Sequence, residues 1–168
     1  WAGMSLDEVR GIVFIATGSP TWDFYGGDRP GDNLFANCVV ALNAATGKRL
    51  WHYQIVHHDI WDKDLPCPPN LVTVMHNGKK IDAVAQVGKT GYVYIFDRET
   101  GKPLFPIEEK PFPASDIPGE HASRTQPIPV KPKPFARIDL SENDLTTLDE
   151  KAHAYALEVF KKSTAGLF

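Results

Sequence analysis

Ten consecutive residues hold most of the chain's capacity for chemistry: His57-His58-Asp59-Ile60-Trp61-Asp62-Lys63-Asp64-Leu65-Pro66. Two histidines and three aspartates within eight positions offer donors to a metal ion, a carboxylate general base, or a solvated turn whose carboxylates cap backbone N–H groups. Spacing alone favours the turn. Lys89 is a second candidate, in Gly88-Lys89-Thr90. A phosphate-binding loop needs a glycine five residues before Gly88, and that position is Ala83. Lys89 is therefore an isolated cation entering a β-type run. The polar loop Gly26-Gly27-Asp28-Arg29-Pro30-Gly31-Asp32-Asn33 lacks the ligand alternation and closing glutamate of an EF-hand, and is expected to be structural. Cys38 and Cys67 have no CxxC spacing, which predicts two unrelated thiols rather than a disulfide framework or a zinc site.

The elements that must position these residues are short. Gly11 to Ala16, Cys38 to Leu42, Arg49 to Ile55, Leu71 to Met75, Ile81 to Val87 and Tyr92 to Phe96 are β-type runs separated by Gly, Pro, Asn and Asp. Asn77-Gly78 between two of them signals a tight hairpin, since both positions tolerate positive φ. An internal repeat sets Ala41-Leu42-Asn43-Ala44-Ala45-Thr46-Gly47-Lys48-Arg49-Leu50-Trp51 against Ile95-Phe96-Asp97-Arg98-Glu99-Thr100-Gly101-Lys102-Pro103-Leu104-Phe105 in a register of 54 residues. Each copy offers an Asn or Asp with a Thr-Gly pair for the turn, then an aromatic to pack on a neighbouring unit. A period of that size with several strands per unit predicts propeller blades; a β-sandwich with one recurrent turn is the alternative.

Beyond residue 105 the pattern changes. Residues 106–140 are rich in proline, as in Pro127-Ile128-Pro129-Val130-Lys131-Pro132-Lys133-Pro134, and predict an extended surface connection because proline cannot donate to a ladder. In residues 141–168, Ala152, Tyr155, Ala156, Val159 and Phe160 recur at helical spacing, with Thr147 and Glu150 as a capping box. The expectation is one amphipathic helix packed on the sheets. The organisation is thus 1–105 propeller units, 106–140 connection, and 141–168 helix.

With 168 residues, 42% hydrophobic and 23% charged, the chain is long enough for a domain with a core. A formal net charge of −3 gives no electrostatic drive towards nucleic acid. No stretch approaches the roughly 20 apolar residues of a membrane span, and no signal segment opens the chain. It starts on Trp1 and stops at Gly166-Leu167-Phe168, which suggests a piece of a longer protein.

Taken in order, Trp1-Ala2-Gly3, Ala16-Thr17-Gly18, Trp51-His52-Tyr53-Gln54 running into His57-His58-Asp59-Ile60-Trp61-Asp62, then Leu65-Pro66, and Lys89-Thr90-Gly91 leading into Phe96-Asp97-Arg98 resemble the dehydrogenases that use pyrroloquinoline quinone (PQQ). The likeness is strongest to the membrane-bound glucose dehydrogenases and related quinoprotein alcohol dehydrogenases. It implies an all-β fold, an eight-bladed β-propeller of four-stranded sheets. At about 54 residues per repeat this chain would hold about three blades.

The resemblance further implies periplasmic oxidation of an alcohol, polyol or sugar, with electrons passing to ubiquinone or cytochrome c. Asp62 matches the catalytic carboxylate that takes the hydroxyl proton while hydride passes to the quinone. Burial beside Trp61 raises the pKa of such a group and a nearby cation lowers it. Lys89 matches the residue that hydrogen-bonds the quinone oxygens, and Trp1 matches the indole floor beneath the quinone. A divalent metal, calcium or magnesium, or a lanthanide in some relatives, would lie near Ser19, Asp62 and Asp64. Ser19 replaces the calcium-binding Asn of the methanol dehydrogenase branch, and Asp64 stands where lanthanide-using relatives carry an extra Asp but also where glucose dehydrogenases carry an acid. Neither fixes the metal. A noncatalytic propeller scaffold is the alternative from a different class, and a partial set of blades is expected to be inactive alone.

Overall fold

Asn43 and Asp97 close the same turn in two neighbouring sheets. Asn43 Oδ1 accepts from Ala45 N (3.1 Å), Thr46 N (2.9 Å) and Thr46 Oγ1 (3.0 Å). Asp97 Oδ1 accepts from Glu99 N (3.1 Å), Thr100 N (2.8 Å) and Thr100 Oγ1 (2.7 Å). A side chain that satisfies two backbone donors nucleates a turn on its own, so each copy of the repeat folds back into an antiparallel pair.

The computed structural model describes residues 2–168; Trp1 lies outside them. Strands β1 (Met4–Asp7), β2 (Ile12–Ala16), β3 (Cys38–Asn43) and β4 (Arg49–Gln54) form a four-stranded antiparallel sheet in sequential order. β5 (Asn70–His76), β6 (Lys79–Val87) and β7 (Val93–Asp97) form a second, which the bridge between Phe96 and Pro103 begins to extend. β5 and β6 meet at Asn77 and Gly78, with φ of 50° and 76°, the positive values a two-residue hairpin needs. Consecutive antiparallel sheets whose neighbouring strands are joined by such turns are the units of a propeller, and the chain is an all-β propeller fragment with open sheets.

The sheets pack through Trp51. Its ring lies 5.7 Å from Phe14 and 6.0 Å from Phe96, and Nε1 donates to Arg98 O at 3.1 Å. Gly101, with φ of 69°, lies so close that an added Cβ would fall 2.5 Å from the indole. The repeat therefore supplies both partners of the contact, an aromatic from one copy and a bare glycine from the next. Phe14, Val39, Ala41, Val84, Tyr94 and Phe96 complete the core.

An ionic cluster ties the same two sheets. Arg98 Nη1 meets Asp7 at 2.9 Å, while its other nitrogens reach Val72 O and Ala83 O. Arg10 joins Asp7 (3.0 Å), Asp82 (2.7 Å) and Glu99 (2.7 Å). Burial pushes the Asp7 carboxyl up, but the Arg98 and Arg10 hydrogen bonds outweigh it and lower the pKa from 3.8 to about 2.

Two elements differ from expectation. Within 106–140, β8 (Ile107–Pro111) and β9 (Thr125–Pro129) pair antiparallel, where a plain surface connection was predicted. A two-stranded ribbon leaves one side of each strand unpaired, so Pro111, Pro127 and Pro129 can sit where no N–H is required. β9 is anchored by buried Ile128 and by Tyr94 Oη donating to Pro127 O at 2.9 Å. Helix α1 (Glu150–Lys161) is capped by Asp149, whose carboxylate accepts from Ala152 N at 2.8 Å, rather than by Thr147. Its apolar stripe is only partly covered: no residue of α1 is buried, Ala152, Ala156 and Phe160 are half-buried, and Tyr155 and Val159 are exposed.

Asp7→Asn is expected to lower stability by about 3 kcal/mol, because it strands the buried Arg98 guanidinium. A carboxyl whose folded pKa is depressed adds stability that is complete above pH ~4 and is lost as pH falls towards its folded pKa. Urea unfolding of the chain between pH 5 and pH 2 should therefore show a loss that Asp7→Asn does not share, with roughly these bounds set by the same linkage; parallel curves would refute the assignment.

Candidate active site

Chain leaving β4 and chain leaving β6 come together at one end of their sheets. After β4, buried Ile55 and Val56 lead into the His57–Pro66 turn, in which Ile60 and Leu65 point inward. After β6, Lys89 N donates to Asp64 O at 3.0 Å. Backbone pairing thus fixes Lys89 against the turn before any charge is considered.

The Lys89 ammonium lies between two carboxylates, 2.7 Å from Asp62 Oδ2 and 2.8 Å from Asp64 Oδ2. The Lys89 and Asp62 side chains are about one-third exposed, whereas that of Asp64 is only 10% exposed. Burial pushes the Asp64 pKa up, and hydrogen bonds from Lys89 and Ser19 N turn the net shift downward. The hydrogen bonds that Lys89 donates to Asp62 and Asp64 hold its pKa above the ordinary value. An ammonium has three N–H donors, so one remains for a ligand oxygen.

Ser19 arrives from the segment after β2. Its N–H donates to Asp64 Oδ1 at 2.8 Å, while its hydroxyl is turned to Asp59. Gly18 permits this approach, because a Cβ there would lie 2.8 Å from Asp64 Oδ1. Ser19, Asp62, Asp64 and Lys89 are therefore brought together. Trp1 is outside the described residues.

Two residues at the site were assigned no role from sequence. Asp59, within the cluster, is 1% exposed and accepts from Trp61 N (2.8 Å), Lys63 N (2.7 Å), Asn37 Nδ2 (2.9 Å) and Ser19 Oγ. Asn37 is fully buried with φ of 50°, and nothing in its sequence context marks it. The Gly26–Asn33 loop is a buttress: Arg29 Nη2 donates to Asp59 O at 2.9 Å, and His58 Nδ1 lies 2.6 Å from Gly31 O.

Asp62 and Asp64 offer the hard oxygen donors that calcium, magnesium and similar cations prefer. Among the described residues no three His, Cys, Asp or Glu side chains gather as a complete metal site, so the fit is that of a partial ligand set. Half-exposed Trp61 lines a cleft of about 360 Å³ with Phe24, Ile60, Phe112 and Phe168. Neither Asp62 nor Lys89 lines it, so the cleft and the ion-paired group are different places.

The family model described as "PQQ: Glucose/ethanol/alcohol dehydrogenase, beta-propeller domain" matches residues 1–168. The chain belongs to this quinoprotein family. It is 43% identical over 147 residues to a quinate/shikimate dehydrogenase (quinone) of Acinetobacter baylyi, covering 86% of this chain and 18% of that protein. It is 45% identical over 130 residues to a quinoprotein glucose dehydrogenase of Gluconobacter oxydans, covering 76% and 16%. Among solved structures it resembles the quinohemoprotein alcohol dehydrogenase ADHIIG of Pseudomonas putida HK5, with a TM-score of 0.59 and 29% identity over 77% of this chain and 19% of that one. The chain thus spans less than a fifth of the length of these quinoprotein relatives.

Lys89→Gln should raise the Asp64 pKa, because burial remains while a hydrogen-bonded cation is lost. Carbon-13 NMR titration of the aspartate carboxyls in both chains checks this; an unmoved Asp64 would show that the ammonium does not set its charge.

Proposed function

We propose that this chain supplies the base and the quinone-binding lysine of a PQQ-dependent dehydrogenase that oxidises the hydroxyl of an alcohol, polyol or sugar in the periplasm. The observation that carries the proposal is the convergence of Asp62 and Lys89, 27 residues apart and in contact at 2.7 Å. When bound, PQQ supplies the carbonyl that accepts hydride from the carbinol carbon, and a calcium, magnesium or lanthanide ion polarises that carbonyl.

The residues of this chain do the remainder. Asp62 accepts the hydroxyl proton as the C–H bond breaks, so the alcohol leaves as its carbonyl product. Lys89 donates to a quinone oxygen and stabilises the negative charge that reduction places there. Trp1, which the resemblance matches to the indole beneath the quinone, lies outside the described residues. Asp64 keeps Lys89 oriented and, with Asp62, contributes oxygens to the metal, with Ser19 as a neighbour that holds Asp64. Other parts of the propeller complete the ligand set. Electrons pass onward to ubiquinone or cytochrome c.

In a protein carrying this segment within a complete propeller, Asp62→Asn should reduce dye-linked turnover of its alcohol by roughly 10²- to 10⁴-fold, the usual contribution of a positioned base. Lys89→Ala should weaken PQQ binding as well as turnover. Unimpaired turnover by Asp62→Asn would remove Asp62 from the role. The present chain alone, given PQQ and calcium, is expected to show no turnover, because base, metal and quinone must be held in one geometry; robust turnover would contradict that requirement.

A further inference from the structure

We infer that Asp59 is a positioning residue for this reaction, one that touches neither substrate nor cofactor but fixes the direction in which Asp62 points. The inference rests on the reading of Asp62 as the base. Its grounds are geometric. Asp62 has φ of 54°, in the left-handed region that few non-glycine residues occupy and that Asp and Asn enter more readily than most. The backbone N–H groups of both neighbouring residues are held by one carboxylate: Asp59 Oδ1 accepts from Trp61 N at 2.8 Å and Oδ2 from Lys63 N at 2.7 Å. Both flanks of Asp62 are thereby set by the same side chain.

That side chain is itself held by further donors. Asn37 Nδ2 donates to Asp59 Oδ2 at 2.9 Å and to Lys63 O at 3.1 Å, and the Ser19 hydroxyl donates to Asp59 as well. Ser19 N meanwhile holds Asp64, so one bracket anchors the turn to the β2–β3 connection and aligns both carboxylates with Lys89. Among the described residues no Lys or Arg side chain pairs with the Asp59 carboxylate, although it is only 1% exposed. Lys63 stands close enough to feel the Asp59 charge without contacting it; a buried carboxylate with no directly paired cation is costly to keep, and a plain turn could be closed by a neutral Asn or Ser. What a carboxylate adds is acceptor capacity for four donors at once, with no N–H of its own to repel them.

The test uses a protein carrying this segment in a complete propeller, with kcat expressed per bound PQQ and the alcohol KM measured in parallel. Asp59→Asn introduces an N–H against the Trp61 or Lys63 donor. It should lower kcat per bound PQQ by about 10- to 100-fold, the scale of a small misplacement, with KM within about 3-fold. A merely structural role would lower PQQ occupancy or yield and leave kcat per bound PQQ unchanged, and that result would overturn the inference. Should Asp59→Asn not accumulate as folded protein, Asn37→Ala removes one of the four donors; a fall of about 3-fold in the same quantity supports the bracket, and none overturns it. Asp62→Asn is assayed alongside. If it keeps full turnover, the base assignment fails; if it is inactive while Asp59→Asn is unimpaired, only the bracket fails.

Discussion

Everything at the candidate site depends on one lysine ammonium held between two carboxylates that a different sheet supplies. Asp62 and Asp64 stand two residues apart in one turn, and their like charges oppose each other. Lys89 relieves that repulsion from across the sheet boundary, at 2.7 and 2.8 Å. The cost of burying Asp64 is offset by the same ammonium and by Ser19 N. Three separate stretches of chain, after β2, β4 and β6, are therefore committed to one spot by electrostatics as well as by packing.

Such a contact survives only if the two sheets keep their relative position, since a shift of about 1 Å is enough to spoil catalytic geometry. Trp51 on Gly101 and the Asp7–Arg98 pair fix the sheets to each other. Inside the turn, the bracket around Asp59 transmits that rigidity to Asp62. The Gly26–Asn33 loop closes the outer side through Arg29 and Gly31. The fold thus contributes precision to this end of the sheets and leaves the Lys89 and Asp62 side chains partly open to a ligand.

Much of this was legible in the sequence, for identifiable reasons. β2 to β7 follow runs of β-branched and aromatic residues bounded by turn formers, and the Asn43 and Asp97 turns are visible as a repeat because their side chains do the closing. β1, Met-Ser-Leu-Asp, is too short and mixed to show alternation, and β8 and β9 carry charges and prolines that read as loop. The helix was visible from its period, but its cap was not, because Asp149 and Thr147 are both competent and only geometry chooses. Asp62 and Lys89 stood out by resemblance. Asn37 did not, since its positive φ and burial are consequences of the tertiary fold; Asp59 was hidden by its more conspicuous neighbours.

The most direct test of the central claim is a structure of a complete propeller carrying this segment, determined with PQQ bound. The account predicts the quinone oxygens within hydrogen-bond reach of Lys89 Nζ, the Asp62 carboxylate beside the quinone carbonyl, and Asp59 still bonded to the backbone N–H groups of Trp61 and Lys63. A quinone bound out of reach of both Lys89 and Asp62 would contradict it.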